Sequence, residues 1–227
     1  MTFWELLQRR ITTDGARPLL TCYDAEGGRT ELSAITYGNW VAKAANLIVD
    51  EIDAGTGDRI GLPLLGRNPG HWMGLVWAGA CWTAGVEACP YVGDDMVAVV
   101  SGPELDFDGA TTLRYAVSLH PLGLGFSGQL PEGVADWASE VRSQPDVFLG
   151  VPPMADDLAW DGEDQAQLTA GTPVAERVLV DLRDGNGPEP RTLLHQVLIG
   201  PLLAGGSSVV VLSGDAERIA TAERAIR

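Results

Sequence analysis

Lysine is nearly absent from this sequence: Lys43 stands alone beside fourteen arginines. Chemistry that needs a lysine, such as a phosphate-binding ε-ammonium, has one residue to draw on. Cysteine is scarce too. Cys22, Cys81 and Cys89 are odd in number, have no C-x-x-C spacing, and have no histidine at ligand spacing. That argues against a disulfide framework or a metal site and leaves free buried thiols as the expectation. The three histidines, His71, His120 and His195, are far apart in sequence. No apolar run approaches the ~20 residues of a membrane helix. The N-terminal MTFWELLQRR places its charges after its apolar residues, so it reads as an amphipathic helix rather than an export signal, and a cytoplasmic location is expected. Positive charge is the last deficit: 15 Lys and Arg against 31 Asp and Glu leave a formal charge of −16. Such a field repels nucleic acid and anionic membranes.

What is present suffices for a core. The chain has 227 residues and 45% hydrophobic content, ordinary for one α/β domain or two small lobes. The stretch from Arg29 to Tyr91 organises the rest. It alternates a strand Arg29–Leu32, a helix Tyr37–Glu51, a strand Arg59–Leu65, a helix Pro69–Thr83 and a strand Val86–Pro90. Such alternation predicts a mostly parallel sheet flanked by helices. In the first of these helices Trp40, Ala44, Leu47 and Ile48 form one apolar stripe, with Thr36 as the expected N-cap. Lys43 falls off the stripe and reads as solvated. The second helix is apolar nearly all round, from Trp72 to Trp82, which predicts burial.

Upstream, Thr2–Thr12 reads as a helix with Phe3, Leu6, Leu7 and Arg10 on one face, and Leu19–Tyr23 forms a hairpin with Arg29–Leu32. Downstream, strands are expected at Met96–Val100, Leu113–Leu119, Val147–Leu149 and Arg177–Leu182, with a polar loop at Ser101–Thr112. A short helix covers Gly133–Ser143 with Trp137 and Val141 inward. Ala155–Gln165 reads as an exposed acidic loop or frayed helix; its carboxylates lack the calcium-loop spacing. A turn at Asp184–Pro188 leads to a helix Pro190–Ala204, kinked at Pro201. A buried parallel strand Ser208–Leu212 and a last helix Ala216–Arg227 follow.

Gly123-x-Gly125-x-x-Gly128 has the spacing of a dinucleotide-binding turn, but Gln129–Gly133 keeps the chain in loop where that fingerprint opens a helix, so it reads as a crossover. No G-x-S-x-G is present. Arg67, Asn68 and His71 lie past the end of a parallel strand and at a helix N-terminus, where open α/β sheets bind ligands. They are candidate ligand-binding residues.

Three segments carry a family resemblance: "Leu-Ser … Thr-Tyr-Gly-Asn-Trp-Val … Ala-Asn-Leu-Ile", "Gly-Asp-Arg-Ile-Gly-Leu" and "Ala-Gly-Val-Glu-Ala-Cys-Pro". In order and spacing they resemble the N-terminal subdomain of adenylate-forming (AMP-binding) enzymes, which include acyl-CoA synthetases, nonribosomal-peptide adenylation domains and luciferase. "Leu-Leu-Ala-Gly-Gly-Ser-Ser-Val-Val-Val-Leu", from Leu202, resembles a later strand of that fold. The whole chain also resembles a family of short actinobacterial proteins of unknown function related to this region. The resemblance implies ATP or AMP as the cofactor, if any. It places the phosphate loop near Leu168–Pro173, where Thr169, Gly171 and Thr172 are of the right type. The loop lysine is replaced by Ala175-Glu176, and the Mg²⁺, ribose and lid motifs are not found.

The resulting expectation is an α/β fold in two lobes, 1–110 and 111–227. The function expected is that of a truncated, non-catalytic relative acting as a ligand- or protein-binding module, with no catalytic or metal-binding residues. Self-association or a protein partner would cover its apolar sheet surface. The alternatives are a ligase-like enzyme using Arg67 or Arg191 in place of the lysine, or a subunit completed by another chain.

Overall fold

In the computed structural model, which describes residues 1–109, 112–185 and 187–227, local signals in the sequence set most element boundaries. Helix α1 (Phe3–Asp14) opens on a capping box: Thr2 accepts from the Glu5 amide and Glu5 reaches back to the Thr2 amide. The hairpin β1 (Pro18–Tyr23) and β2 (Arg29–Ser33) runs into α2 (Ala34–Asp50). The cap of α2 is Ser33, not Thr36, whose amide is the group that Ser33 caps. Strand β3 (Arg59–Gly61) is shorter than expected, because Pro63 opens a one-turn helix α3 (Pro63–Arg67). Helix α4 (Trp72–Ala84) starts three residues after Pro69, since Gly70 turns at φ +77° and His71 becomes the N-cap. Gly85, left-handed at φ 75°, ends it.

Strands β4 (Glu87–Cys89), β5 (Ala98–Ser101), β6 (Leu113–Ala116) and β7 (Val134–Asp136) follow, and Asp136 caps the short α5 (Trp137–Val141). Two expectations fail beyond it. Val147–Leu149 is not a strand; the Asn46 side chain replaces a neighbouring strand there, donating to Pro145 O and Val147 O and accepting from the Leu149 amide. The acidic segment is not a loop but a hairpin, β8 (Leu158–Trp160) and β9 (Glu163–Asp164), turning at Asp161 and Gly162 with φ 42° and 88°. Lys43 is half-buried rather than solvated: it binds Asp146 at 3.0 Å and donates to Gln144 O, fastening the same segment that Asn46 holds.

Helix α6 (Gln165–Thr169), strand β10 (Arg177–Asp181) and helix α7 (Pro190–Leu194) come next. The kink lies before Pro201, as a π-helical turn His195–Ile199, and α8 (Gly200–Ala204) follows. Pro201 has no amide for the Val197 carbonyl; the buried Ser208 hydroxyl donates to that carbonyl instead, at 2.8 Å. Strand β11 (Ser207–Val211) and helix α9 (Ala216–Glu223), capped by Asp215, complete the described elements. Ala110 and Thr111 of the polar loop, and Asn186 of the Asp184–Pro188 turn, lie outside the described residues.

The strands form a four-stranded sheet, β10-β11-β1-β2, and a seven-stranded sheet, β7-β6-β5-β3-β4-β8-β9. All neighbours are parallel except β1/β2 and β8/β9. The expected mostly parallel α/β architecture is therefore found, with β3 and β11 both in parallel ladders. Strand β1 pairs with β11, so the first sheet joins segments from both sides of residue 110. Helix α4 is buried along its whole length. Tyr37 donates to Leu75 O, Phe3 packs edge-on to Trp82, and Gly79 admits both: a Cβ there would lie 2.5 Å from the Tyr37 hydroxyl. At its N-terminal end, Gly70 lies against Leu182, just past β10, and Val210 of β11.

Candidate functional site

Strand direction puts one crevice at the carboxyl ends of both sheets. Asp24 follows β1, Pro103 follows β5, Ser118 and Leu119 follow β6, Leu182 and Arg183 follow β10, and Leu212 follows β11; α3 adds Arg67 and its C-cap Asn68, and the α4 cap adds His71. These residues enclose about 420 Å³. Open α/β sheets bind ligands at such ends. A groove of about 420 Å³ along β10 has Asp181 as its single ionisable lining group and apolar walls from Val178 to Val180, so it offers less chemistry.

Arg67, Asn68 and His71 thus line one crevice. Arg67 is two-thirds exposed and binds Asp106 through Nε and Nη2 at 3.1 and 3.0 Å. The Asn68 amide donates to both Glu104 oxygens. His71 is 5% exposed, and its Nδ1 accepts from the Met73 amide at 3.3 Å. Burial holds the imidazole neutral and lowers its pKa to about 4, against the opposing pull of the Leu119 carbonyl and Asp24. Leu119 sits at φ 60°, a conformation few leucines adopt. Across the crevice Arg183 grips Asp181 through Nε and Nη2 at 2.8 and 2.7 Å and donates to Gly214 O.

Asp24, Arg183 and Ser118 were not singled out in the sequence. Asp24 lay inside a hairpin connector that reads only as a turn, and the other two are brought in by strand order. Asp24 is 6% exposed; its Oδ1 accepts from the amides of Glu26 and Gly28, while its Oδ2 is buried without a partner.

Thr169, Gly171 and Thr172 are not among the residues lining this crevice. The Thr169 hydroxyl donates to Met1 O at 2.7 Å and Gln165 O at 2.9 Å and is buried. Gly171 is covered by His195: a Cβ there would overlap Nε2 of that ring. The Thr172 carbonyl and the Val174 side chain pack on Gly200, and the Val174 amide donates to Gly200 O. Arg191 lies beside this segment, but it donates to Gln167 O, Leu168 O and Glu163. Among the described residues no group of three or more His, Cys, Asp and Glu is placed to hold a metal ion, and no helix is long and apolar enough to cross a membrane.

Solved structures share this fold. The chain is similar to a Brucella canis acyl-CoA synthetase (TM-score 0.75, 15% identity, 99% of this chain and 46% of that one). It is similar to the N-terminal domain of FACL13 from Mycobacterium tuberculosis (TM-score 0.68, 13% identity, 99% and 61%). It also matches the anthranilate CoA ligase AuaEII, solved with anthranoyl-AMP (TM-score 0.67, 13% identity, 99% and 48%). The chain spans about half the length of the synthetase and the ligase, and its fold is that of their N-terminal region. No protein-family profile matches it. A Mycobacterium tuberculosis protein described as a TIGR03089 family protein is 32% identical over 225 residues, covering 92% of this chain and 89% of the relative. With that identity along nearly the full length of both, the chain belongs to the TIGR03089 family.

Proposed function

We propose that this protein is a non-catalytic binding module that keeps the N-terminal scaffold of adenylate-forming enzymes and takes a small organic ligand in the crevice between its sheets. The observation that carries the reading is the packing at Thr169–Thr172. A phosphate loop must offer free backbone amides and a cation. Here Thr169 is spent on carbonyls, Gly171 is covered by His195, and the chain's one lysine is fastened to Asp146. We place the protein in the cytoplasm and expect it to self-associate or bind a protein partner through exposed apolar residues such as Val147, Leu149 and Val151.

Two measurements test the reading. ATP–pyrophosphate exchange across a panel of carboxylic acids, with and without Mg²⁺, should stay at the blank. Exchange that disappears in Arg191→Ala would establish the ligase reading instead, because Arg191 is the guanidinium beside the loop. A small-molecule fragment panel should shift the amide resonances of Arg67, His71 and Leu212; a panel that shifts none of them removes the crevice as a ligand site.

A further inference from the structure

We infer that the crevice selects a ligand carrying an ammonium or guanidinium group on an apolar body, and rejects polyphosphates. This rests on the crevice being the ligand site proposed above. The two arginines that line the crevice are already paired with carboxylates. Arg67 is paired with Asp106, and Arg183 with Asp181, with Asp184 and Asp215 also near it. Asn68 is committed to Glu104, and Glu26 adds a carboxylate to the wall. Carboxylates therefore outnumber guanidiniums around the opening of a chain whose formal charge is −16. A phosphate entering here must displace a carboxylate from an arginine and then remain among carboxylates, both of which oppose it.

Asp24 supplies the positive argument. It lines the crevice, is nine-tenths buried, and has one carboxylate oxygen with no donor. Gly28 lies directly against that oxygen, which occupies the place a Cβ at Gly28 would take. His71 does not serve it: its Nδ1 accepts from Met73, and no donor among the described residues, His71 included, reaches Asp24 Oδ2. A buried carboxylate oxygen without a donor is costly, and a charged donor from a ligand offsets that cost more fully than a neutral one. Leu119, Leu182 and Leu212 provide apolar wall for the rest of such a ligand.

A matched trio of probes tests this on the full chain: phenethylammonium, 2-phenylethanol and 3-phenylpropionate, with inorganic pyrophosphate as the polyphosphate probe. Binding is followed by chemical-shift titration at the crevice amides. Phenethylammonium should bind at least about ten-fold more tightly than the alcohol, as expected for a charge-assisted bond, and the two anions should bind more weakly than the alcohol. Asp24→Asn keeps an oxygen for the Glu26 and Gly28 amides but replaces the free acceptor with a donor; it should erase the preference for the cation. Should that variant fail to fold, by near-ultraviolet circular dichroism, Glu26→Gln on the exposed wall should lower phenethylammonium affinity about two-fold and leave the alcohol unchanged. Propionate or pyrophosphate binding as tightly as the ammonium, or a folded Asp24→Asn chain that keeps the preference, overturns the inference. If other fragments shift the crevice amides and phenethylammonium does not, this inference falls while the binding-module reading stands; if nothing shifts them, both fall.

Discussion

Replacing His71 by asparagine isolates the effect of one buried imidazole on acid stability. In the folded chain its pKa is lowered from 6.5 to about 4, chiefly by burial. The sign follows directly. Between those two values the unfolded chain binds a proton that the folded chain refuses, so stability falls as pH falls from 6.5 and the loss is complete below about 4. A difference of 2.5 units corresponds to about 3 kcal/mol in full, and to about 2 kcal/mol between pH 7.5 and 5.0. Asparagine is itself a good N-cap and keeps an acceptor for the Met73 amide, so the helix start is preserved while the titrating group is removed. Carboxylates also titrate toward acid, but both proteins carry them, so the difference of differences reports His71. Urea unfolding followed by tryptophan fluorescence at pH 7.5 and 5.0 should show the parent losing about 2 kcal/mol more than the variant. Equal losses, within about 0.5 kcal/mol, would refute the assignment of a neutral, desolvated imidazole at the crevice floor.

Three further outcomes follow from packing. Gly171→Ala should destabilise the chain by about 1–3 kcal/mol through overlap with His195, and a His195→Ala background should remove most of that cost in a double-mutant cycle of chemical denaturation. Ser208→Ala leaves the buried Val197 carbonyl unserved across from Pro201 and should lower the unfolding free energy by about 1–3 kcal/mol; Ser208→Thr, which keeps the hydroxyl, should recover part of it in the same assay. Asn46→Leu should raise hydrogen exchange at the Leu149 amide well above that of the neighbouring α2 amides; protection unchanged there would mean that the Val147–Leu149 segment is held by something other than Asn46.

The parts legible in the sequence were those written in local periodicity. The all-round apolar run Trp72–Trp82 could only be a buried helix, and the run ending at Leu212 could only be a covered strand, so the parallel α/β class followed. The hairpin β8–β9 was missed although its turn signal was present: Asp161-Gly162 is the dipeptide that permits two left-handed residues in a row. The acidity of the surrounding segment masked it. Val147–Leu149 misled in the opposite way, because Val147 and Leu149 point outward around the buried Phe148 and the backbone partner is a side chain, Asn46, about a hundred residues away. In the crevice, Arg67, Asn68 and His71 are consecutive or nearly so and could be read as a group. Asp24 and Arg183 reach it through strand order, which no local pattern encodes. The fate of Thr169–Thr172 was equally hidden, since it depends on where His195 packs.

The ladder between β1 and β11 also constrains the chain while it is being made. Leu20 pairs with Ser208, about 190 residues later. At ~5–20 residues per second of synthesis, β1 waits roughly 10–40 s for its permanent neighbour. During that interval it can pair with β2, and the other edge of β1, which carries Leu19 and Leu20, stays open on the nascent chain. Ribosome-bound chains stalled before residue 207 should therefore be held by chaperones or aggregate, and chains released with β11 and α9 complete should not.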